Sequence, residues 1–226
     1  MITGETRLVG LLGDPVSRSL SPLMHNAAFA ALGLDWAYVP LPVRADRLED
    51  ALRGLVALGF VGANVTTPHK LAVAKLVKTD LASVNTLVVE GDRVRGHSTD
   101  AAVLEELGPQ RPAILGDGGA AIAFAEALPH ARRFSRRGEW PPAVADADVV
   151  VNATSEREQV LAEVVSGQTL VDLPYPRTAT AGAAEQGGAR VVDGLAVLVD
   201  QGAASFELWT GVRAPVNIMR AAISFA

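Results

Sequence analysis

No cysteine occurs in the 226-residue chain, so neither a disulfide nor a thiolate nucleophile is available to it. Histidine is sparse: His25, His69, His97 and His130 are scattered and show no metal-ligand spacing. No apolar run approaches the length that spans a bilayer, and the N-terminus lacks a signal-peptide pattern, so the default location is the cytoplasm. A basic excess is missing too. The net charge is −5 and the pI about 5.4, which argues against nucleic acid or an anionic membrane as a partner.

Lysine is almost absent. Of 20 Lys and Arg, only Lys70, Lys75 and Lys78 are lysines, all within "GANVTTPHKLAVAKLVK", residues 62–78. Arg stays protonated at any working pH, whereas Lys can release a proton when its surroundings lower its pKa. The stretch therefore holds either an amine that exchanges a proton or a solvated helix face that drifted less. Lys75 and Lys78 fit the second reading, and Lys70 is the candidate for the first.

What is present, 49% hydrophobic and 20% charged, suits one large or two small globular domains. Short apolar runs ("LVGLLG", "AYVPLPV", "GANV", "TLVVE", "AILG", "ADVVVN", "TLVDLPY", "ARVVDG") alternate with Ala/Leu-rich helical stretches. That rhythm predicts an α/β fold with mostly parallel sheets. There is no internal repeat and no low-complexity linker. A boundary falls near residue 100, where "DAAVLEELG" runs into Pro112 and a new strand.

Two helix starts are legible. In "SLSPLMHNAAFAALGL", Ser21 is placed to N-cap, Pro22 sits at the first helical position, and Gly33 terminates. After "GANV", Thr66 or Thr67 can cap and Pro68 is again first-turn, so Lys70 falls in the first turn. Free N–H groups and the helix dipole disfavour a cation there, an environment expected to lower the pKa of a Lys modestly.

"PAILGDGGAAIAFAEALPHARRFSRR" spans 112–137. A short strand leads into Gly116-x-Gly118-x-x-Ala121, then a helix to about Leu128 and the strand "ARRF". This is the dinucleotide fingerprint, whose glycines allow a tight turn and a close approach to a pyrophosphate. Arg136 follows the second strand with no Asp or Glu at the strand end. An acid there would bind the ribose 2′-hydroxyl of NAD, whereas Arg suits the 2′-phosphate of NADP. Asp117 is discordant, since an acid inside the turn opposes a phosphate if it points inward.

The ordered set "GDPVSRSLSPLMHN", "GANVTTPHK", "SVNTLV", "GHSTD", "LGDGGAA", "SRR", "VNATS", "LVDLPY" and "DGLAVLVDQGAASFELWTG" resembles the shikimate dehydrogenase family over residues 13–211. The resemblance implies reversible hydride transfer between NADPH and 3-dehydroshikimate, giving shikimate. It also implies two α/β domains with the active site in the cleft between them. Residues 1–100 plus 195–226 would form the substrate-binding catalytic domain, and residues 101–194 the Rossmann-like NADP domain. Lys70 and Asp100 would flank the reacting hydroxyl. Ser19 and Ser21 would hold the carboxylate, Thr66, Asn85 and Gln201 the ring hydroxyls, and Tyr175 would help close over the carboxylate. On the cofactor side the resemblance implicates Gly116, Gly118, Gly119 and Ala120 for the pyrophosphate. Ser135 and Arg136 would serve the adenine ribose, with Leu173 and Gly194 towards the nicotinamide, and Arg137 and Thr154 would also contact the cofactor. The partners expected are a small-molecule substrate, no nucleic acid, no membrane and no metal, in a monomer or homodimer.

The chemistry of the residues agrees. Serines at a helix N-terminus suit a carboxylate. A polyhydroxylated ring needs short polar side chains that reject analogues by leaving donors unpaired. Alcohol oxidation needs a group to take the proton as hydride leaves. Blander readings stay open: Ser19, Ser21 and Thr66 as caps, Asn85 as a turn residue, Asp100 as a helix cap, Gln201 as surface. Quinate is the alternative substrate, and a non-catalytic binder of shikimate or nucleotide the alternative from another class.

Three departures from the family stand out: Ser98 in place of the usual Asn, a shortened segment between Lys70 and Asn85, and only "GEWPPAVADADVVVN" after Arg137. A parallel crossover through a helix needs a dozen or more residues. One βα unit on the adenine side is therefore expected to be missing, leaving a narrower cofactor sheet.

Overall fold

The computed structural model describes residues 2–224. The chain divides into two compact units, Met1–Thr99 with Val199–Ala226, and Asp100–Leu198. Each holds one five-stranded sheet.

In the first unit the strands are β1 (Arg7–Gly13), β2 (Trp36–Pro42), β3 (Gly62–Val65), β4 (Thr86–Glu90) and β5 (Arg93–His97), in the order β2-β1-β3-β4-β5. β1 is parallel to β2 and β3, whereas β4 runs antiparallel to both β3 and β5. This sheet is therefore mixed, and β5, which has no apolar run of its own, is a strand only because "EGDR" turns β4 back on itself. α2 (Leu48–Ala57) and α3 (Lys70–Leu76) cover one face, packing Leu48, Leu52, Leu55, Val73 and Ala74 on Leu12, Ala63, Val65 and Leu87. An aromatic cluster from β2, α1 (Ser21–Ala31) and α7 (Gly194–Thr210) includes His25 stacked on Tyr38 at 4.6 Å and Phe29 against Phe206 at 5.3 Å. Gly62 makes room for it. A Cβ there would lie 2.5 Å from the Trp209 Nε1, whose N–H donates to the Leu87 carbonyl at 2.8 Å.

The helix starts differ from the sequence reading. Leu20, not Ser21, is the N-cap of α1, and His69, not Thr66 or Thr67, is that of α3; neither has a side-chain cap. Lys70 is the first residue of α3. Gly33 does end α1: it sits at φ +65°, and the Leu34 N–H reaches back to the Phe29 carbonyl.

In the second unit β6 (Ala113–Leu115), β7 (Arg132–Phe134), β8 (Val149–Asn152), β9 (Thr169–Asp172) and β10 (Arg190–Val192) form the order β10-β9-β8-β6-β7, parallel throughout. Both faces are buried by alternation. Ala113, Leu115, Val150 and Leu170 face α6 (Ala179–Gln186) and Phe134, while Ile114, Val149, Val151 and Val171 face Phe124 and Leu128 of the α5 (Gly119–Ala127) segment. The doubly wound arrangement carries two strands outside the first on one side and three on the other. Here β6 has only β7 on that side. Among the described residues, 135–148 form neither helix nor strand, so the outer βα unit is missing, as the spacing after Arg137 predicts. Trp140 packs against the core, and Asp146 accepts from Arg132 of β7 at 2.9 Å. No helix among the described residues is long and apolar enough to cross a membrane.

His25 is fully buried, and among the described residues neither ring nitrogen has a hydrogen-bond partner. Desolvation lowers its pKa from the ordinary 6.5 to about 3. The unfolded chain therefore takes up a proton that the folded chain refuses between those values. Folding loses about 1.4 kcal/mol per pH unit as pH falls through that window, and nothing above it. Urea unfolding at several pH values is expected to show a shallower acid slope for His25→Phe by that amount. Parallel slopes would mean that the native ring protonates as easily as the unfolded one.

Candidate active site

The first unit brings most of the substrate-side residues to one end of its sheet. Parallel pairing sets the C-terminal ends of β1 and β3 side by side, with Leu12 opposite Val65. The loop after β1 carries Ser19 and leads into Ser21. The Ser19 hydroxyl donates to the Ser21 Oγ at 3.2 Å and accepts the Ser21 N–H at 3.3 Å. Thr66 follows β3, and its N–H donates to the Leu12 carbonyl. Gly13 is required at this crossing, because a Cβ would come within 2.4 Å of the Thr66 methyl. The loop before α3 is pinned by the buried His69, whose Nε2–H donates to the Val43 carbonyl at 2.6 Å. Lys70 is half-buried; Lys75 and Lys78 are exposed.

Because β4 is antiparallel, its start lies at the same end. Asn85 accepts the Val65 N–H through its carbonyl, and its side chain is buried and fully engaged. Its Oδ1 accepts the Thr99 N–H at 2.7 Å, and its Nδ2 donates to the Thr99 Oγ1 at 2.9 Å and to the Gln201 Oε1 at 3.3 Å. These contacts exclude the simple turn-residue reading of Asn85 and the surface reading of Gln201, which is half-buried.

A residue the sequence analysis did not single out organises this cluster. The Asn64 Nδ2 donates to the Asn85 carbonyl at 3.1 Å, the Thr86 Oγ1 at 3.1 Å and the Ser205 Oγ at 2.9 Å, and the Tyr38 hydroxyl donates to its Oδ1 at 2.9 Å. Thr86, Thr99 and Ser205 close the network among themselves at 2.8–3.3 Å. The available signal was an Asn inside "GANV", a four-residue strand buried at every position, since a polar residue at a core position must be satisfied there.

Asp100 and Tyr175 belong to the second unit by chain position. Asp100 is buried, and it is not the cap of the helix Leu104–Leu107 (α4), whose N-cap is Val103.

In the second unit the parallel strands deliver their following loops to one edge. Gly116 ends β6 at φ +120°, where a Cβ would lie 2.9 Å from the Ala153 carbonyl oxygen. Only glycine fits that turn. A Cβ on Gly118, the N-cap of α5, would meet nothing within 4 Å, so the backbone there is open to an approaching group. α5 starts at Gly119 and Ala120 with no side-chain cap and no acid in its first turn. These features fit a dinucleotide pyrophosphate. Gly194 is held against the Leu173 and Pro174 carbonyls, each 2.5 Å from where its Cβ would be. The Thr154 hydroxyl donates to the Asn152 Oδ1 at 2.8 Å, and the Asn152 Nδ2 donates to the buried Asp172 at 2.7 Å. Burial raises the Asp172 pKa above the ordinary carboxylate value, although Asn152 and Thr178 oppose the shift by donating to it.

Ser135, Arg136 and Arg137 form the turn after β7. Arg136 and Arg137 are exposed, and each already faces an acid. Arg136 lies 3.5 Å from Glu156, and Arg137 lies 3.5 Å from Asp117. Asp117 is thus drawn to a surface pair with Arg137.

Two α/β units, the second a parallel Rossmann-like sheet with an open glycine turn and an Arg pair beyond its second strand, define a dinucleotide-linked oxidoreductase. A family model described as the shikimate dehydrogenase substrate binding domain matches residues 11–87, and one described as the shikimate 5′-dehydrogenase C-terminal domain matches residues 194–223. A shikimate dehydrogenase (NADP(+)) from Anaeromyxobacter sp. (strain Fw109-5) is 42% identical over 273 residues, covering 99% of this chain and 98% of the relative. Among solved structures, the shikimate dehydrogenase of Aquifex aeolicus superposes with TM-score 0.88 at 29% identity, with 99% of each chain covered. That of Thermus thermophilus, solved with NADP(H) and shikimate, gives 0.85 at 28%, covering 96% of this chain and 98% of that one. The chain belongs to the shikimate dehydrogenase family. The alignment to the Anaeromyxobacter relative is longer than the 226 residues here, so that relative carries internal segments this chain does without.

Asn64→Leu leaves the Tyr38 hydroxyl, the Thr86 and Ser205 hydroxyls and the Asn85 carbonyl short of a partner. Urea unfolding is expected to show a loss of about 1–3 kcal/mol or more, with a raised substrate KM because Asn85 loses its support. An unchanged midpoint and KM would remove Asn64 from that role.

Proposed function

We propose that the chain is an NADP-dependent shikimate dehydrogenase, interconverting 3-dehydroshikimate and shikimate, with the first unit binding the substrate and the second the dinucleotide. The observation that carries this is the convergence of Ser19, Ser21, Thr66, Asn85, Gln201 and Lys70 on one end of the first sheet. The set offers hydroxyl, amide and ammonium groups suited to a carboxylate and several ring hydroxyls. The homologues' shared NADP(+) names support the cofactor.

In this reading Ser19 and Ser21 turn their hydroxyls from each other to the carboxylate, adding charge-assisted hydrogen bonds. Asn85 and Gln201, held by each other and by Thr99, present a fixed pattern to ring hydroxyls beside Thr66. Lys70 takes the proton of the hydroxyl that becomes the ketone, and returns it in the reverse direction, with Asp100 as the second acid–base residue. Tyr175 assists at the carboxylate. Gly116, Gly118, Gly119 and Ala120 hold the pyrophosphate and Ser135, Arg136 and Arg137 the adenine ribose, while Thr154, Leu173 and Gly194 serve the nicotinamide, which when bound supplies the hydride acceptor.

Reduction of NADP and of NAD, first with shikimate and then with quinate, tests the assignment. NADP reduction with shikimate is expected to dominate. A higher kcat/KM for quinate would reassign the substrate, and no turnover with either would leave the binder reading.

Lys70→Arg keeps the charge and donors but removes an accessible pKa. Both Lys70→Arg and Lys70→Ala are expected to lose about 10²–10⁴ in kcat, whereas Lys75→Arg and Lys78→Arg change almost nothing. Near-normal turnover in Lys70→Arg would reduce Lys70 to a fixed positive charge.

For Ser19→Ala and Ser21→Ala, each lost charge-assisted bond is worth about 1.5–3 kcal/mol and is expected to appear mainly as a higher KM for shikimate. The carboxylate is remote from the reacting carbon and is bound alike in both states. A pure kcat defect with unchanged KM would contradict the role.

A further inference from the structure

Arg136 is not a free cation waiting for a phosphate. Its Nη2 lies 3.5 Å from the Glu156 Oε2 and 3.2 Å from the Gln159 Oε1, both on the loop after β8. Glu156 is anchored from its other side. Its Oε1 accepts the backbone N–H groups of Arg157 at 3.0 Å, Glu158 at 3.0 Å and Gln159 at 3.3 Å. Its own N–H donates to the Thr154 Oγ1 at 3.2 Å. The Glu156 side chain is 26% exposed, against 61% for Arg136, so the carboxylate is the more buried and better anchored member of the pair. The bond from the Glu158 N–H is the largest of several effects that hold the Glu156 carboxyl below the ordinary range, so it is ionised at neutral pH.

We propose that Glu156 sets the balance between NADP and NAD at the adenosine end of the cofactor. It does so by occupying the Arg136 guanidinium that a 2′-phosphate needs and by offering a carboxylate to a ribose 2′-hydroxyl.

The inference rests on the reading of Arg136 as the 2′-phosphate residue. An incoming 2′-phosphate must either draw Arg136 away from its acid or sit beside a carboxylate of its own sign, and both weaken NADP binding. NAD suffers neither effect, since a hydroxyl can donate to the carboxylate. An acid at the end of the strand after the glycine turn does this work in NAD enzymes. Here the strand end carries Ser135 and Arg136, and the acid comes from a different loop. The loop after β8 meets Arg136, and its carboxylate stands beside the guanidinium. The Asp117–Arg137 pair repeats the compensation one residue on, so neither guanidinium of the turn stands as an isolated positive charge.

The test compares dissociation constants for NADPH and NADH, read by fluorescence of the reduced nicotinamide in the full chain, for the parent, Glu156→Gln and Arg136→Ala. Glu156→Gln keeps the size of the side chain and an oxygen for the three N–H groups, but removes the charge. It is expected to tighten NADPH and weaken NADH so that their ratio shifts about three- to tenfold towards NADPH, the scale of a partly exposed charge pair. The KM for shikimate is expected to stay where it is, while the thermal midpoint falls slightly because three N–H groups lose a charge-assisted acceptor, so the ratio is the deciding readout. A role confined to capping the 156–159 turn would move the midpoint and leave the ratio alone. An unchanged ratio in Glu156→Gln, with NADPH weakened in Arg136→Ala, would overturn the role of Glu156 while Arg136 keeps its own. Unchanged NADPH binding in Arg136→Ala would overturn the reading of Arg136 and the inference with it.

Discussion

A carboxamide buried on a central strand has to spend its whole hydrogen-bonding capacity inside the protein, and in the first unit the polar cluster at one end of the sheet is built around that. Asn64 sits on β3 between β1 and β4, with 4% of its surface exposed. Its acceptor takes the Tyr38 hydroxyl, and its two N–H groups are shared among Thr86, Ser205 and the Asn85 carbonyl. Those residues come from β2, β4 and α7 and from the residue just before β4, so the amide ties three strands and a helix to one register. Asn85 and Gln201 inherit their positions from it. Such a network specifies one arrangement strongly, because every partial version leaves a buried polar group unsatisfied. It also explains why the neighbouring residues are Thr and Ser rather than Val and Ala, which would fill the space equally well.

The second unit is held by a different rule. Its sheet is parallel and covered on both faces, so the core is a matter of alternating apolar side chains, and specificity is left to the loops at the strand ends. Glycine decides the shape of those loops at two places. Gly116 lets the turn after β6 pass the Ala153 carbonyl, and Gly194 lets the start of α7 pass the Leu173–Pro174 backbone. In both cases the obstacle is backbone, which has no rotamer by which to move aside.

Sequence alone reached much of this. Period-two and short apolar runs marked every strand except β7, which was read from its place after the fingerprint helix, and β5, which is edge-lying, polar and defined by its hairpin. The fingerprint glycines, Gly33 and the missing βα unit were legible because each depends on local backbone chemistry or on chain length. The helix caps were misread: Ser and Thr before a Pro look like caps, but Ser21 is already inside α1, and Thr66 uses its carbonyl to hold the His69 N–H. Asn64 and Ser205 were not legible as a pair, because they are separated by 141 residues and no spacing rule reaches that far. The Arg136–Glu156 contact, only 20 residues apart in the chain, was hidden because it joins two irregular loops that no local pattern pairs. What the sequence could state was residue types at a strand end; which loop comes to meet them is a property of the folded sheet.

Ending the second sheet at β7 has a consequence for the behaviour of the chain in a crowded solution. An outermost strand offers unpaired amides to any extended peptide, and a long apolar one invites sheets to grow from molecule to molecule. β7 is a poor template for such growth. It is three residues long, and two of them are exposed arginines. Arg132 lies over the Phe134 ring, 5.1 Å from its centroid, and is tied to Asp146 of the crossing segment. An incoming strand would find little length to pair with and like charges to meet. The strand that forms this edge of the second sheet is thus one that discourages further pairing.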